Sequence, residues 1–328
     1  MKKLLAFFMV ALLAVTALTA SFGGGINFDV DYNSEDGFEF SNAPSYNQAT
    51  MSLSDSATNV GYSVGLRIGS ITEDPSDIYL STANVWHKMP IADAFSLTTT
   101  FGYYGTWNTQ YNGVQYASGA WGLWDTGMNP GISVKGSGSM EDFSYSAEVL
   151  TTTAATKLKM DMNAYFGFKG IGVSANINDI VNPTEGSTPS MAFDGRFDVN
   201  SFVDLPVSVS AWLGATMLPD SDLTLNAVLR LGYENLSEVI EVTNLTNSNE
   251  GNMTIYSDTS YSFLENYSAA LSVVIPTAEG ESISMTPEVS GTYELVTYTV
   301  AVSNLLSEDD PMSINFSADY SFWFYFNK

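Results

Sequence analysis

Residues Ser313–Phe326 read SINFSADYSFWFYF, and their alternation decides the fold class. Ile314, Phe316, Ala318, Tyr320, Phe322, Phe324 and Phe326 hold one phase, while Asn315, Ser317, Asp319 and Ser321 hold the other. Side chains repeat every two residues on a strand but only every ~3.6 on a helix, so this stretch is a strand. The same period recurs upstream. In Thr156–Phe168, Leu158, Met160, Met162, Ala164, Phe166 and Phe168 alternate with Lys157, Lys159, Asp161 and Asn163. Pro206–Met217 sets Val207, Val209, Ala211, Leu213, Ala215 and Met217 against Ser208, Ser210 and Thr216. The chain reads as all-β.

Strand length and the polarity of the two faces choose the architecture. Soluble sandwiches use strands of about 5–6 residues, whereas a tilted strand needs ~9–11 to cross a bilayer. The runs above reach the longer class, and their apolar phase carries no charge. Charges fall on the polar phase, at Asp29, Asp31, Arg67, Lys135, Glu148, Lys157, Lys159, Asp161, Asp194, Arg196, Asp198, Arg230, Glu234, Glu288 and Asp319. The pattern predicts a transmembrane antiparallel up-and-down β-barrel with its apolar phase toward lipid and its polar phase toward a lumen.

Composition agrees and removes other classes. Charged residues are 14% of the chain, against roughly 25% in ordinary soluble domains. Acids outnumber bases 36 to 11, for a net charge of −25, so nucleic acid is excluded as a partner. There is no cysteine and a single histidine, His87, which removes disulfides, thiolate metal sites and multi-histidine metal sites. No cofactor is expected. At the amino terminus, Lys2 and Lys3 precede the apolar run Leu4–Val15, and small residues follow at Ala17, Thr19 and Ala20. That is the form of a secretory signal, predicted over 1–20, with a single barrel domain over 21–328. The mature chain then carries nine bases against 36 acids.

Counting back from the carboxyl end, polar connections alternate in length as a barrel inserted from the periplasm requires. Asn304–Met312, Pro276–Ser282, Thr246–Asn252, Asp179–Pro189 and Gly105–Asn129 fall on the outer side. Glu294–Val296, Leu264–Tyr267, Lys169–Gly170 and Lys88–Asp93 fall on the inner side. About eighteen strands result, or sixteen if the hairpin Glu238–Leu264, with its Asn244, Asn247, Asn249 and Asn252, projects above the membrane.

With its exported amino terminus, its alternating strands and the closing Tyr320, Phe322, Phe324 and Phe326, the chain resembles the bacterial outer-membrane β-barrels of the porin type. The resemblance is architectural and identifies no particular porin family. It implies an outer-membrane location, a lipid environment, and recognition of the carboxyl-terminal aromatic strand by barrel-assembly machinery. A homo-oligomer is compatible with it. Asn327 and Lys328 depart from the usual aromatic last residue.

Candidate pore-lining residues are Arg67, Lys135, Lys157, Lys159, Asp161, Asp194, Arg196, Asp198 and Arg230, because bases facing acids across a constriction set ion selectivity. Lys88, Lys169 and Lys328 map to inner turns or the terminus. Trp107, Tyr111, Tyr116, Trp121 and Trp124 crowd the segment Gly105–Asn129, and their ring faces are candidates for stacking on a sugar. An interfacial aromatic cluster is the plainer reading. Imidazole catalysis would rest on His87 alone, in a strand running into a turn, so the chain is read as a non-enzyme. Asp220-Ser221-Asp222 and Glu308-Asp309-Asp310 lack EF-hand spacing and read as solvated acidic loops.

The expected function is a porin, a passive channel for ions and small hydrophilic solutes with mild cation preference. The alternatives are a structural outer-membrane barrel without an open pore and a secreted β-protein that binds carbohydrate.

Overall fold

The computed structural model describes residues 19–33, 37–41, 48–56, 59–68, 78–103, 130–154, 157–181, 189–218, 222–246, 253–307 and 310–327. Among them the alternating segments form nineteen antiparallel strands. The first ten are β1 (Thr19–Asn33), β2 (Gly37–Ser41), β3 (Gln48–Ser56), β4 (Val60–Ile68), β5 (Ile78–Ala92), β6 (Phe95–Tyr103), β7 (Pro130–Met140), β8 (Phe143–Ala154), β9 (Lys157–Phe168) and β10 (Ile171–Asn178). The remainder are β11 (Ser190–Asp198), β12 (Ser208–Met217), β13 (Thr224–Tyr233), β14 (Leu236–Thr243), β15 (Thr254–Leu264), β16 (Tyr267–Pro276), β17 (Ser284–Tyr293), β18 (Val296–Ser303) and β19 (Ser313–Asn327).

Each strand from β3 onward pairs with the next, and β19 returns to β1 from Thr19↔Asn327 to Asn33↔Ser313. The other edge of β1 is shared: Asp29–Asn33 pair with β2, and Thr19–Gly25 with β3. Two short segments therefore fill one place in the wall, and the barrel closes with eighteen staves. The Asn-rich hairpin does not project. β14 pairs β13 on one side and β15 on the other, because Leu236, Ile240 and Val242 match the outward phase of β13. This removes the sixteen-strand alternative.

Short turns gather at one rim: Asp93–Ala94, Glu141–Asp142, Lys169–Gly170, Glu234–Asn235, Glu265–Asn266 and Glu294–Leu295. Glu141, Lys169, Glu234 and Glu294 take φ of 50–55°, the left-handed first position of primed hairpin turns, whose twist suits antiparallel strands. At the opposite rim Asp179, Asn244 and Asn304 also have positive φ, each one residue past a strand, and Asx residues tolerate that conformation. A longer connection on the short-turn side, 199–207, is clipped by Asn200. Its Nδ2 donates to the Val207 carbonyl at 3.0 Å, and its Oδ1 accepts from the Val209 N–H at 2.7 Å.

The barrel is apolar on the outside. Leu213 is 55% exposed, and Phe193, Val173, Val289 and Val300 are exposed with it, whereas Glu241 on the inner phase is 0% exposed. Near the short-turn rim, aromatic rings lie over glycines on the neighbouring strand. Tyr145 stands opposite Gly138, and Tyr267 opposite Gly291. The Tyr145 hydroxyl donates to the Ala94 carbonyl at 3.2 Å. A Cβ on Gly138 would sit 2.0 Å from that same carbonyl oxygen and 2.5 Å from the tyrosine hydroxyl. Gly138→Ala is therefore expected to destabilise the barrel by about 1–3 kcal/mol. Thermal conversion of the folded gel band to the unfolded one would check this, and an unchanged midpoint would refute the clash.

Candidate functional site

Strand register sorts the charged residues into the lumen. On β7 and β8, Lys135 lies directly opposite Glu148. The Glu148 carboxylate accepts from Ser133 Oγ at 2.5 Å and from Asn163 Nδ2 at 3.4 Å. On β9, Asp161 accepts the backbone N–H of Asp179 at 2.8 Å, fixing the start of an outer loop. On β11, Asp194 accepts from Ser174 Oγ of β10 at 2.6 Å. Glu148, Asp161, Asp194 and Glu241 are all buried. A buried carboxylate is costly unless hydrogen bonds replace its water, and for Glu148 and Asp194 alternation supplies them by placing Ser133, Asn163 and Ser174 in the same phase of adjacent strands.

The centre of this layer is Trp212 on β12. It sits on the polar phase between Ser210 and Gly214, packs against Val228 of β13 and Val239 of β14, and is 7% exposed. The guanidinium of Arg196 lies 5.6 Å from the ring centroid and that of Arg230 lies 5.5 Å from it. Each such contact is worth about 0.5–2 kcal/mol, more where water is excluded. Arg196 also pairs with Asp198 at 3.4 Å. With the Arg196 side chain 44% exposed, that pair contributes little by itself. Val228 faces Glu241 and Arg230 faces Val239, so Glu241 is one diagonal step from Arg230. Two arginines, one indole and two carboxylates thus converge on four neighbouring strands.

The structure groups some of the sequence-selected residues and not others. Arg196, Asp198 and Arg230 belong to the Trp212 cluster, and Lys135, Asp161 and Asp194 to the adjoining β7–β11 layer. Arg67, Lys157 and Lys159 occupy lumen-phase register positions, at Thr50↔Arg67, Ala154↔Lys157 and Thr152↔Lys159. Trp107, Tyr111, Tyr116, Trp121 and Trp124 lie outside the described residues. Two assignments change. Lys88 belongs to β5, opposite Thr98, and not to the turn, because β5 stays paired with β6 for five residues past His87, which faces the first residue of β4. Glu234 lies in a turn and not on a strand. His87 pairs with Val60 and Thr99 on the outward phase, so the imidazole belongs to the outer wall and not to the lumen.

Sequence reasoning passed over Trp212, Asn226, Glu241 and Asp258. The signal was present, since each stands on the polar phase of an alternating strand. An indole in that phase is out of place on a water-filled wall. The outward phase has its own exception, Glu238 of β14, whose carboxylate accepts from Ser257 Oγ at 2.7 Å and from Thr259 Oγ1. Among the described residues, no group of three or more His, Asp or Glu side chains could hold a metal ion.

No family model matches the sequence, and no curated protein matches it. Solved structures do match. One is Wzi of Escherichia coli, described as an outer membrane protein involved in group 1 capsule assembly and as a carbohydrate-binding β-barrel. It shares 12% identity over 97% of this chain and 87% of its own, with a TM-score of 0.54. Another is the outer membrane protein opdK of Pseudomonas aeruginosa, with 9% identity over 93% of this chain and 99% of its own, and a TM-score of 0.52. At such identities the likeness is one of fold, and the fold is that of the bacterial outer-membrane β-barrels.

Proposed function

We propose that this chain resides in the outer membrane as a binding barrel with a narrowed lumen, holding a hydrophilic ligand of the saccharide class. The observation that carries this reading is the covered polar layer. Barrels of 16–18 strands ordinarily leave an aqueous channel, and side chains lining such a channel are bathed in water. Here Ser133, Glu148, Asp161, Asn163, Ser174, Asp194, Thr216, Asn226, Glu241 and Thr243 are buried along β7–β14. The likeness to a barrel described as carbohydrate-binding points the same way.

Planar-bilayer recording of the purified protein tests the reading. It predicts conductance well below that of a wide pore, together with saccharide binding in detergent. Large, steady conductance with no saccharide binding overturns it in favour of a passive channel.

That second reading has its own support. On β15 and β17, Asp258 and Glu288 face the lumen half-buried, less covered than the buried acids of β8–β14, and Asp319 shares their phase on β19. An acid-lined path concentrates cations, and the effect shrinks as the screening length falls from about 30 Å at 0.01 M salt to about 10 Å at 0.1 M. Any residual current should therefore be mildly cation-preferring, and replacing Lys157 and Lys159 by Ser should strengthen the preference. Anion selectivity of the unmodified protein would show that a basic constriction outweighs the acids.

Orientation is open to labelling. A cysteine at Glu279, between β16 and β17, should react with an impermeant reagent on intact cells, and one at Glu294 should not. The reverse pattern would invert the barrel.

A further inference from the structure

At the rim opposite the short turns, the lumen face of β15–β17 ends in a pocket of about 430 Å³. It is lined by Tyr256, Val274 and Pro276 from the strands and by Glu281 and Asp310 from the connections beyond them. Tyr256 pairs with Val274, and Val274 with Ser284, so these residues share the lumen phase and the pocket opens inward. Its upper wall draws on two connections, through residues 277–283 and through Ser307 and Asp310, tied to the barrel and to each other. The Thr277 N–H and hydroxyl both donate to the Met253 carbonyl, at 2.9 and 2.7 Å. The Leu305 N–H donates to the Met285 carbonyl at 3.0 Å. The hydroxyls of Ser282 and Ser307 meet at 3.2 Å, and Ser307 Oγ accepts the Asp310 N–H at 3.0 Å. The pocket is thus held open in advance, which lowers the cost of ordering a ligand.

We infer that this pocket is a saccharide subsite at the outer mouth, taking a neutral or amino-bearing sugar and refusing acidic ones. The inference rests on the saccharide reading above and deepens it. The chemistry selects the class. A volume within the ~300–1,000 Å³ of small-molecule sites is far larger than a single ion needs. Apolar and aromatic lining residues suit the C–H face of a pyranose, while the hydroxyls and carboxylates among them suit its ring of O–H donors. Two carboxylates, in a chain of net charge −25, repel a uronate or a phosphorylated sugar and attract a protonated amino sugar.

The test uses the full chain in detergent, titrated with a neutral glucan oligomer, a glucosamine oligomer and a uronate oligomer. The glucan and glucosamine oligomers should bind and the uronate should not. Tyr256→Ala should weaken binding about tenfold, with the folded gel band unchanged. Glu281→Gln with Asp310→Asn should erase the preference for the amine and admit the uronate. Saccharide binding that survives all three substitutions unaltered, or a preference for uronate in the unmodified protein, overturns the subsite and leaves the saccharide-binding barrel standing. If none of the oligomers binds, the subsite is overturned, and free conductance by the same protein brings down the broader reading with it.

Discussion

Leu213→Arg is expected to block assembly of the barrel, and Thr286→Arg to be tolerated. Leu213 lies near the middle of β12 on the outward phase, 55% exposed, with Ala227 and Gly195 beside it on the flanking strands. A solvent of lipid makes that position favourable for leucine and hostile to charge. Placing arginine at the bilayer midplane of a β-barrel costs about 2–4 kcal/mol, a large share of ordinary folding stability. Thr286, on β17, faces the lumen in the same phase as Glu288, so an arginine there gains both water and a counter-charge. Refolding yield into lipid vesicles, read as the compact gel band, separates the two. Equal damage from both substitutions would mean that neither face meets lipid and that the wall is buried on both sides.

The second large effect is expected from Trp212→Ala. Truncating a buried tryptophan typically costs about 3–5 kcal/mol, and here it also strips the shared partner from two guanidiniums. Arg196 and Arg230 would lose the ring that holds both, and Val228 and Val239 would lose their packing partner. A lower thermal midpoint should be joined by higher single-channel conductance, because the indole fills space in the lumen. Trp212→Phe should restore most of the stability and part of the current block. Should Trp212→Ala leave both properties unchanged, the cluster neither braces the wall nor narrows the lumen.

Much of the fold was legible because membrane barrels write their environment onto sequence in a simple way. Lipid outside and polar groups inside impose a period of two, visible in Ser313–Phe326 without any alignment. Counting connections from the carboxyl end put Lys169–Gly170 and Glu294–Val296 at one rim and the connections that open at Asp179 and Asn304 at the other, and the structure places those residues so. The Asn-rich hairpin was ambiguous because its loop, not its strands, dominated the reading. Leu236, Ile240 and Val242 settle it only when they are set against Leu225–Leu231 on β13.

The site was less legible, for a different reason. Alternation says which face a residue takes but not which residues on that face meet. Arg196 and Arg230 were selected for their charge, yet what joins them is Trp212, an apolar side chain in a polar phase. Glu241 lies a diagonal step from Arg230 only through the register of β13 on β14. The outer pocket draws Tyr256, Glu281 and Asp310 from separate stretches of chain. Sequence by itself determined the strand period, the two faces and the alternation of the rims, because each follows from local contrast between lipid and water. Tertiary structure alone decided the eighteen-stave closure, the buried polar layer and the pocket at the mouth, because these depend on stagger between strands distant in sequence, which no local pattern encodes.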